Sequence, residues 1–151
     1  MHLRNKRIAV LCAEGVEDLE FYVPFMRLQE EGAEVIAAGL ALKPMRGKGG
    51  LEVIPKVTIA SLDPRELHGL VIPGGWAPDK LRRYEEVTRL VSALHRDGKV
   101  IGSICHGGLV AISAGIVRGR RATGSLGIRD DLVADIPAFC RELVSALGEK
   151  S

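Results

Sequence analysis

Apolar residues in this chain fall into two patterns, short unbroken runs and longer stretches in which they recur at helical spacing. Arg7 to Cys12 is almost wholly apolar after its basic start and reads as a first buried strand of a parallel sheet. Ala13-Glu14-Gly15 is a turn. Val16 to Glu31 then places Leu19, Val23, Phe25 and Met26 near a helical period, with Pro24 expected to kink or break the helix. Gly32 ends that element, and Ala33 to Ala38 is a second strand, the order of a right-handed crossover.

Met45 to Gly50 (MRGKGG) is a glycine-rich turn, and Leu51 to Ala60 is extended and β-branched around Pro55. Asp63-Pro64 marks a short helix start. Leu70 to Pro73 is a third buried strand, ending in Gly74-Gly75-Trp76-Ala77-Pro78-Asp79. Pro78 can open a helix over Asp79 to Asp97, whose Leu81, Tyr84, Val87, Leu90, Val91 and Leu94 share one face. Lys99 to Ile104 is a fourth short apolar run, followed after two glycines by a further apolar helix that Gly115 can close. A loop rich in Gly and Arg (Gly115 to Gly127), a helix-like Ile128 to Ala134 and an amphipathic helix from Pro137 to Leu147 complete the pattern. Alternating strands and helices predict a doubly wound, flavodoxin-like α/β layer in one domain over residues 1–151. Such a layer binds ligands beyond the carboxyl ends of its strands, where Glu14, Gly75 and Cys105 all fall.

Composition changes this picture little. The 151 residues are 46% hydrophobic and 26% charged, which is ordinary for a globular domain. A net charge of +2 gives no case for a nucleic-acid or acidic-substrate partner. Three cysteines with no CxxC pair argue against a disulfide framework or a metal knuckle, so no metal or cofactor is expected. The apolar run after the basic N-terminus is too short for a signal core, and no segment reaches membrane-spanning length, so the cytoplasm is the expected compartment.

The candidate chemistry lies in GKVIGSICHGGLVAISAG, Gly98 to Gly115. Strand, sharp turn and helix there form a thiol counterpart of the nucleophile elbow, with Cys105 and His106 adjacent and Gly107 and Gly108 allowing close approach. A helix starting behind Cys105 is expected to favour thiolate over thiol.

Three stretches carry a resemblance: GVEDLEFYVPFMRLQEEGAEV, VIPGGWAPDKLR and GKVIGSICHGGLVAISAGIVRGRRATGSLGIRDDL. Together they resemble the PfpI-type intracellular cysteine peptidase/amidase family, in the class I glutamine amidotransferase-like superfamily with the protein deglycase and glyoxalase III relatives. The likeness covers Lys6 to Asp131 and resumes at the terminal helix. It implies Cys105 as nucleophile, His106 as adjacent base, and Glu20 as the carboxyl group touching the thiol. It also implies Asp79 as a carboxylate supplied from a neighbouring subunit to orient the histidine. Gly74, Gly75 and the His106 backbone become the oxyanion hole. Relatives build the site near subunit contacts, which implies a homo-oligomer. Three departures stand out. Roughly twenty residues, a strand pair, are missing between Asp131 and Pro137; Ser125 replaces a tyrosine; and Gly49 replaces a histidine.

His106 is the last histidine in the chain, so the downstream His-x-Glu of an amidotransferase has no counterpart. Glu17 and Glu20 share one side of the first helical turn. Glu17 reads as a helix-dipole acid with a possible place in the pocket, while Glu20, beside a thiol, should have a raised pKa and share its proton. Asp79 reads equally as a first-turn helix acid. Trp76 is packing or a pocket wall, and Cys12 and Cys140 are core; MRGKGG is a candidate anion cradle, but it lacks any phosphate-loop pattern, which favours a plain turn. Arg118, Arg120 and Arg121 form a solvated run, with steering of anionic substrates as the lesser alternative. The expected function is a cysteine-dependent hydrolase or lyase acting on a small aldehyde or on peptide/amide groups. The alternative is a stress-protective redox sensor in which Cys105 is oxidised rather than turning over.

Overall fold

The computed structural model describes residues 2–117 and 136–149, with side chains from residue 140 onward in the second segment. Residues 118–135 hold the arginine run, Ser125, the helix-like stretch at 128–134 and most of the shortened segment, so those expectations lie outside the described residues.

Arg7–Cys12 forms strand β1, and every residue after the arginine is buried. Helix α1 (Asp18–Glu30) begins two residues later than its apolar pattern suggests, because Glu17 caps it by accepting from the Glu20 N–H at 2.8 Å. Pro24 lies inside α1 without ending it. Strand β2 is Glu34–Gly39, and its six residues pair in parallel with β1 from Arg7↔Glu34 to Cys12↔Gly39. The extended stretch after the glycine turn is broken up. Met45–Arg46 (β3) and Glu52–Val53 (β4) make a small antiparallel hairpin around MRGKGG. Val57–Thr58 (β5) pairs with the end of β2.

Gly69–Ile72 (β6) joins the other side of β1. The expected Asp79–Asp97 helix is two helices, α2 (Ala77–Leu81) and α3 (Glu85–Arg96), separated by a turn in which Tyr84 is extended. Side-chain periodicity does not register this break. Leu81 stays buried on one side of it, and Val87, Leu90, Val91 and Leu94 stay buried on the other. Val100–Ser103 (β7) pairs in parallel with β6. Gly108–Ser113 (α4) and Ile136–Glu149 (α5) follow.

The main sheet thus runs β5-β2-β1-β6-β7, parallel throughout. Successive crossovers step outward from β1 in one direction to β2 and in the other to β6. The crevice between β1 and β6, beyond their carboxyl ends, is the switch point of a doubly wound sheet. α1 packs on α5, while α3 packs on β6, β7 and α4. The core is the sheet's own apolar set, Ile8 to Leu11 and Leu70 to Ile72, closed by Leu28, Leu81, Leu94, Leu143 and Leu147.

Candidate active site

Three loops meet at this switch point, and backbone bonds tie two of them together. Glu17 N–H donates to Gly74 O at 3.1 Å and Trp76 N–H donates to Gly15 O at 2.8 Å, with Val16 and Gly75 in a bridge between them. Gly75 has φ +78°, and a Cβ there would lie 2.5 Å from both Glu17 N and Gly15 O, so only glycine lets the loops approach this closely.

Cys105 sits at the end of β7. Its backbone has φ +52°, a left-handed conformation that costs a side-chain-bearing residue roughly 1–3 kcal/mol and persists where surrounding bonds fix it. Ile104 N–H donates to Ile72 O at 3.0 Å and Gly107 N–H to Ile104 O at 2.8 Å. Gly107 lies so close to the Ile72 carbonyl that a Cβ would overlap it. The half-buried sulfur lies 3.3 Å from His106 Nδ1 and takes backbone N–H bonds from His106 and Gly75.

Glu20 is fully buried. Its Oε2 accepts from the Gly74 N–H at 2.7 Å, and Oε1 is buried with no hydrogen-bond partner among the described residues. Burial raises its pKa above the ordinary 4.5. The Gly74 bond acts against that, Glu17's charge reinforces it, and Lys48 and the Cys105 thiol oppose it more weakly.

The thiol itself departs from the sequence expectation. Burial first, then the negative charge of Glu20, push the Cys105 pKa above its ordinary 9.0, while the His106 and Gly75 N–H groups and Lys48 pull it down. A six-residue helix preceded by a tight turn does not hold the sulfur ionised against these effects. Two groups that each resist ionisation therefore face one another.

A model of the DJ-1/PfpI family matches residues 6–146, nearly the whole chain. The chain belongs to that family. Among its relatives, the protein named deglycase PfpI of Pyrococcus furiosus is 38% identical over 91% of this chain and 84% of its own length. Protein/nucleic acid deglycase 2 of Escherichia coli is 31% identical over 95% of this chain and 99% of its own. A two-domain protein of Anabaena variabilis with DJ-1/ThiJ/PfpI-like and ferritin-like domains superposes with a TM-score of 0.88 at 31% identity, over 95% of this chain and 48% of that longer one. Drosophila melanogaster DJ-1beta shares the fold, with a TM-score of 0.80 at 20% identity over 96% of this chain and 89% of its own.

In this DJ-1/PfpI chain Cys105, His106, Glu20, Gly74 and Gly75 converge, but Gly74 does not present a free donor. Its N–H is committed to Glu20, which leaves the N–H groups of Gly75 and His106 to face the sulfur. Asp79 lies in the first turn of α2, exposed, with Oδ2 2.5 Å from Arg83 Nη2 of its own chain. Trp76 is 66% exposed, so it is a surface feature beside the elbow rather than core. Cys12 and Cys140 are buried.

Sequence reasoning missed two residues of the MRGKGG hairpin's attachment. Asp18, 5% exposed, accepts from Gly49 N–H at 2.5 Å and Leu51 N–H at 2.8 Å and so clamps the hairpin to the start of α1. Lys48, at its tip, donates its backbone N–H to Val16 O at 2.7 Å and holds its ammonium 5.6 Å from the Trp76 ring centroid. The signal available in sequence was the glycine at 49. A Cβ there would lie 2.9 Å from Asp18 Oδ2.

Proposed function

We propose that this protein is a cysteine-dependent enzyme acting on small aldehydes, with Cys105 as nucleophile and Glu20 as the group that carries its proton. The pairing of a strained, accessible thiol with a buried carboxyl group of raised pKa supports this reading above any other observation. The name deglycase borne by several relatives supports carbonyl chemistry of this class.

The sulfur forms a bond to the aldehyde carbon as the carbonyl π pair moves onto oxygen. The thiol proton passes through Glu20 to that oxygen, giving a hemithioacetal. The Gly75 and His106 N–H groups stabilise the oxygen while it is negative. With a 2-oxoaldehyde, a proton leaves the former aldehyde carbon and returns to the neighbouring one, and the result is a thioester. Water adds to the thioester, the C–S bond breaks, and a 2-hydroxy acid leaves with the thiol restored. The net reaction consumes one water and needs no redox partner. His106, 3.3 Å from the sulfur, serves as the base for the water. Peptide or amide cleavage needs the histidine aligned by an acid. Asp79 fills that role only if a second subunit brings it there, since in its own chain it pairs with Arg83.

Leu19 and Met26, seven residues apart on α1 and each more than half exposed, favour a homo-oligomer assembled on that face. Free cysteines favour a reducing, cytoplasmic setting. No helix among the described residues is long and apolar enough to cross a membrane.

The test is consumption of methylglyoxal with formation of lactate by the intact chain, lost in Cys105→Ala. A second reading rests on the same Glu20, which is placed to donate a strong hydrogen bond to an oxidised Cys105. Oxidation of Cys105 by peroxide without turnover of aldehyde, peptide or amide would make the protein a sensor instead. A monomer in sedimentation would remove Asp79 from the site.

A further inference from the structure

The hairpin between β3 and β4 places a cation at the edge of the Cys105 site. The Lys48 backbone is fixed by its bond to Val16 O, and the glycines on either side of it pack on the Asp18 carboxylate. Its ammonium stands 5.6 Å from the Trp76 ring, and Trp76 directly follows Gly75, whose N–H reaches the sulfur. None of the ion pairs among the described residues involves Lys48. The nearby acids are otherwise engaged: Glu17 caps α1, Asp18 holds the hairpin, Glu14 accepts from Arg46 N–H, and Glu20 is bound to Gly74. The Lys48 charge is felt at both Glu20 and Cys105. A lysine tied down at its backbone, resting on an exposed indole and lacking an acidic ion-pair partner among the described residues is built to meet an anion arriving from outside.

We propose that Lys48 is a specificity-determining residue of the Cys105 site, selecting electrophiles that carry a carboxylate one or two carbons from the reacting carbon over neutral ones of the same size. This rests on the carbonyl-enzyme reading for its biological meaning, but its test does not require turnover. A substrate carboxylate rests between the ammonium and the edge of Trp76 while the adjacent carbon lies over the sulfur. The substrate class is therefore small aldehydes that carry a carboxylate.

The experiment compares alkylation of Cys105 by iodoacetate, an anion, with alkylation by neutral iodoacetamide, in the full chain and in Lys48→Met and Lys48→Arg. Any effect of Lys48 on the thiol's own reactivity acts on both reagents and cancels in the ratio of rates. The ratio is expected to fall about fivefold in Lys48→Met, the size of one charge contact in water, and to recover in Lys48→Arg. The fall should also shrink at high ionic strength. An equal ratio in all three proteins, an equal fall in both variants, or no reaction of Cys105 with either reagent would overturn the proposal. Absence of aldehyde turnover with the ratio behaving as expected would instead sink the enzymatic reading and leave the anion preference standing.

Discussion

The Gly74 N–H donates to Glu20 Oε2 at 2.7 Å across 54 residues of sequence, and this bond holds a fully buried carboxyl group against the turn that carries Cys105. A Cβ on Gly74 would overlap the Glu20 carboxylate and lie 2.7 Å from Cys105 Cβ. Acid, glycine and thiol thus occupy one continuous packing arrangement, and each fixes the position of the other two.

Gly74→Ala should therefore separate the acid from the sulfur. Overpacking of this kind costs about 1–3 kcal/mol, read as a lower denaturant midpoint with an unchanged slope. Turnover of methylglyoxal should fall more steeply than stability does. Wild-type activity in Gly74→Ala would show that the contact between Glu20 and Cys105 is dispensable.

The Glu20 carboxyl has a folded-state pKa above its ordinary 4.5. The sign follows from linkage. Its contribution to stability is full below about pH 4.5 and is lost as pH rises through the folded-state value, where a buried carboxyl must ionise. Glu20→Gln keeps an acceptor for the Gly74 N–H and removes the charge. Its melting temperature should match wild type in acid and exceed it increasingly towards pH 8. The same substitution should lower the Cys105 pKa, because the Glu20 charge raises it, so iodoacetamide should react faster at neutral pH. Parallel stability curves for the two proteins across this range would contradict the assignment.

Three thiols share the chain in unlike settings. Cys12 is fully buried, pushed up to about 12 by desolvation, and its Sγ donates to Ala38 O at 3.4 Å. Burial also raises Cys140. Iodoacetamide on the native protein should label Cys105 alone, at a rate still climbing as pH passes 9, and mass spectrometry of the digested protein reads the site directly. Equal labelling of Cys12 would mean that the sheet opens at β1.

Asp18→Ala removes the acceptor for two backbone N–H groups of the hairpin. A loss of about 1–3 kcal/mol is expected for stranding such groups. Hydrogen exchange at Gly49 and Leu51 should then speed up while β1 and β6 amides stay protected and Lys48 keeps its bond to Val16 O. Unchanged exchange at those two amides would show that the hairpin is held by other means.

Much of this arrangement is legible in the sequence. Buried parallel strands appear as apolar runs, and β1, β2, β6 and β7 lie within a residue or two of where those runs stand. The elbow is marked by Cys105, His106 and the two glycines, whereas the place of Glu20 beside the thiol is implied by the family resemblance and not by its position in the first helical turn. The break between α2 and α3 was hidden, because a turn that keeps both apolar faces inward leaves the periodicity intact. The protonation of Cys105 was misjudged for a different reason: a helix N-terminus is visible in sequence, but the burial that outweighs it depends on neighbours from α1 and the loop after β6. Lys48 was concealed most completely. Its position depends on Asp18 holding a turn about thirty residues away, and a glycine-rich hexapeptide without a phosphate-loop pattern points first to a plain turn and only second to an anion cradle.

The bonds between Gly15 and Trp76 and between Glu17 and Gly74 act as rivets through the floor of the site, so its donors cannot drift apart without tearing the loops behind two central strands. The hairpin above hangs on the Asp18 carboxylate and a few bonds to the loop after β1. A lineage could therefore exchange that overhanging piece, and with it the choice of molecule admitted, while the machinery beneath stayed as it was.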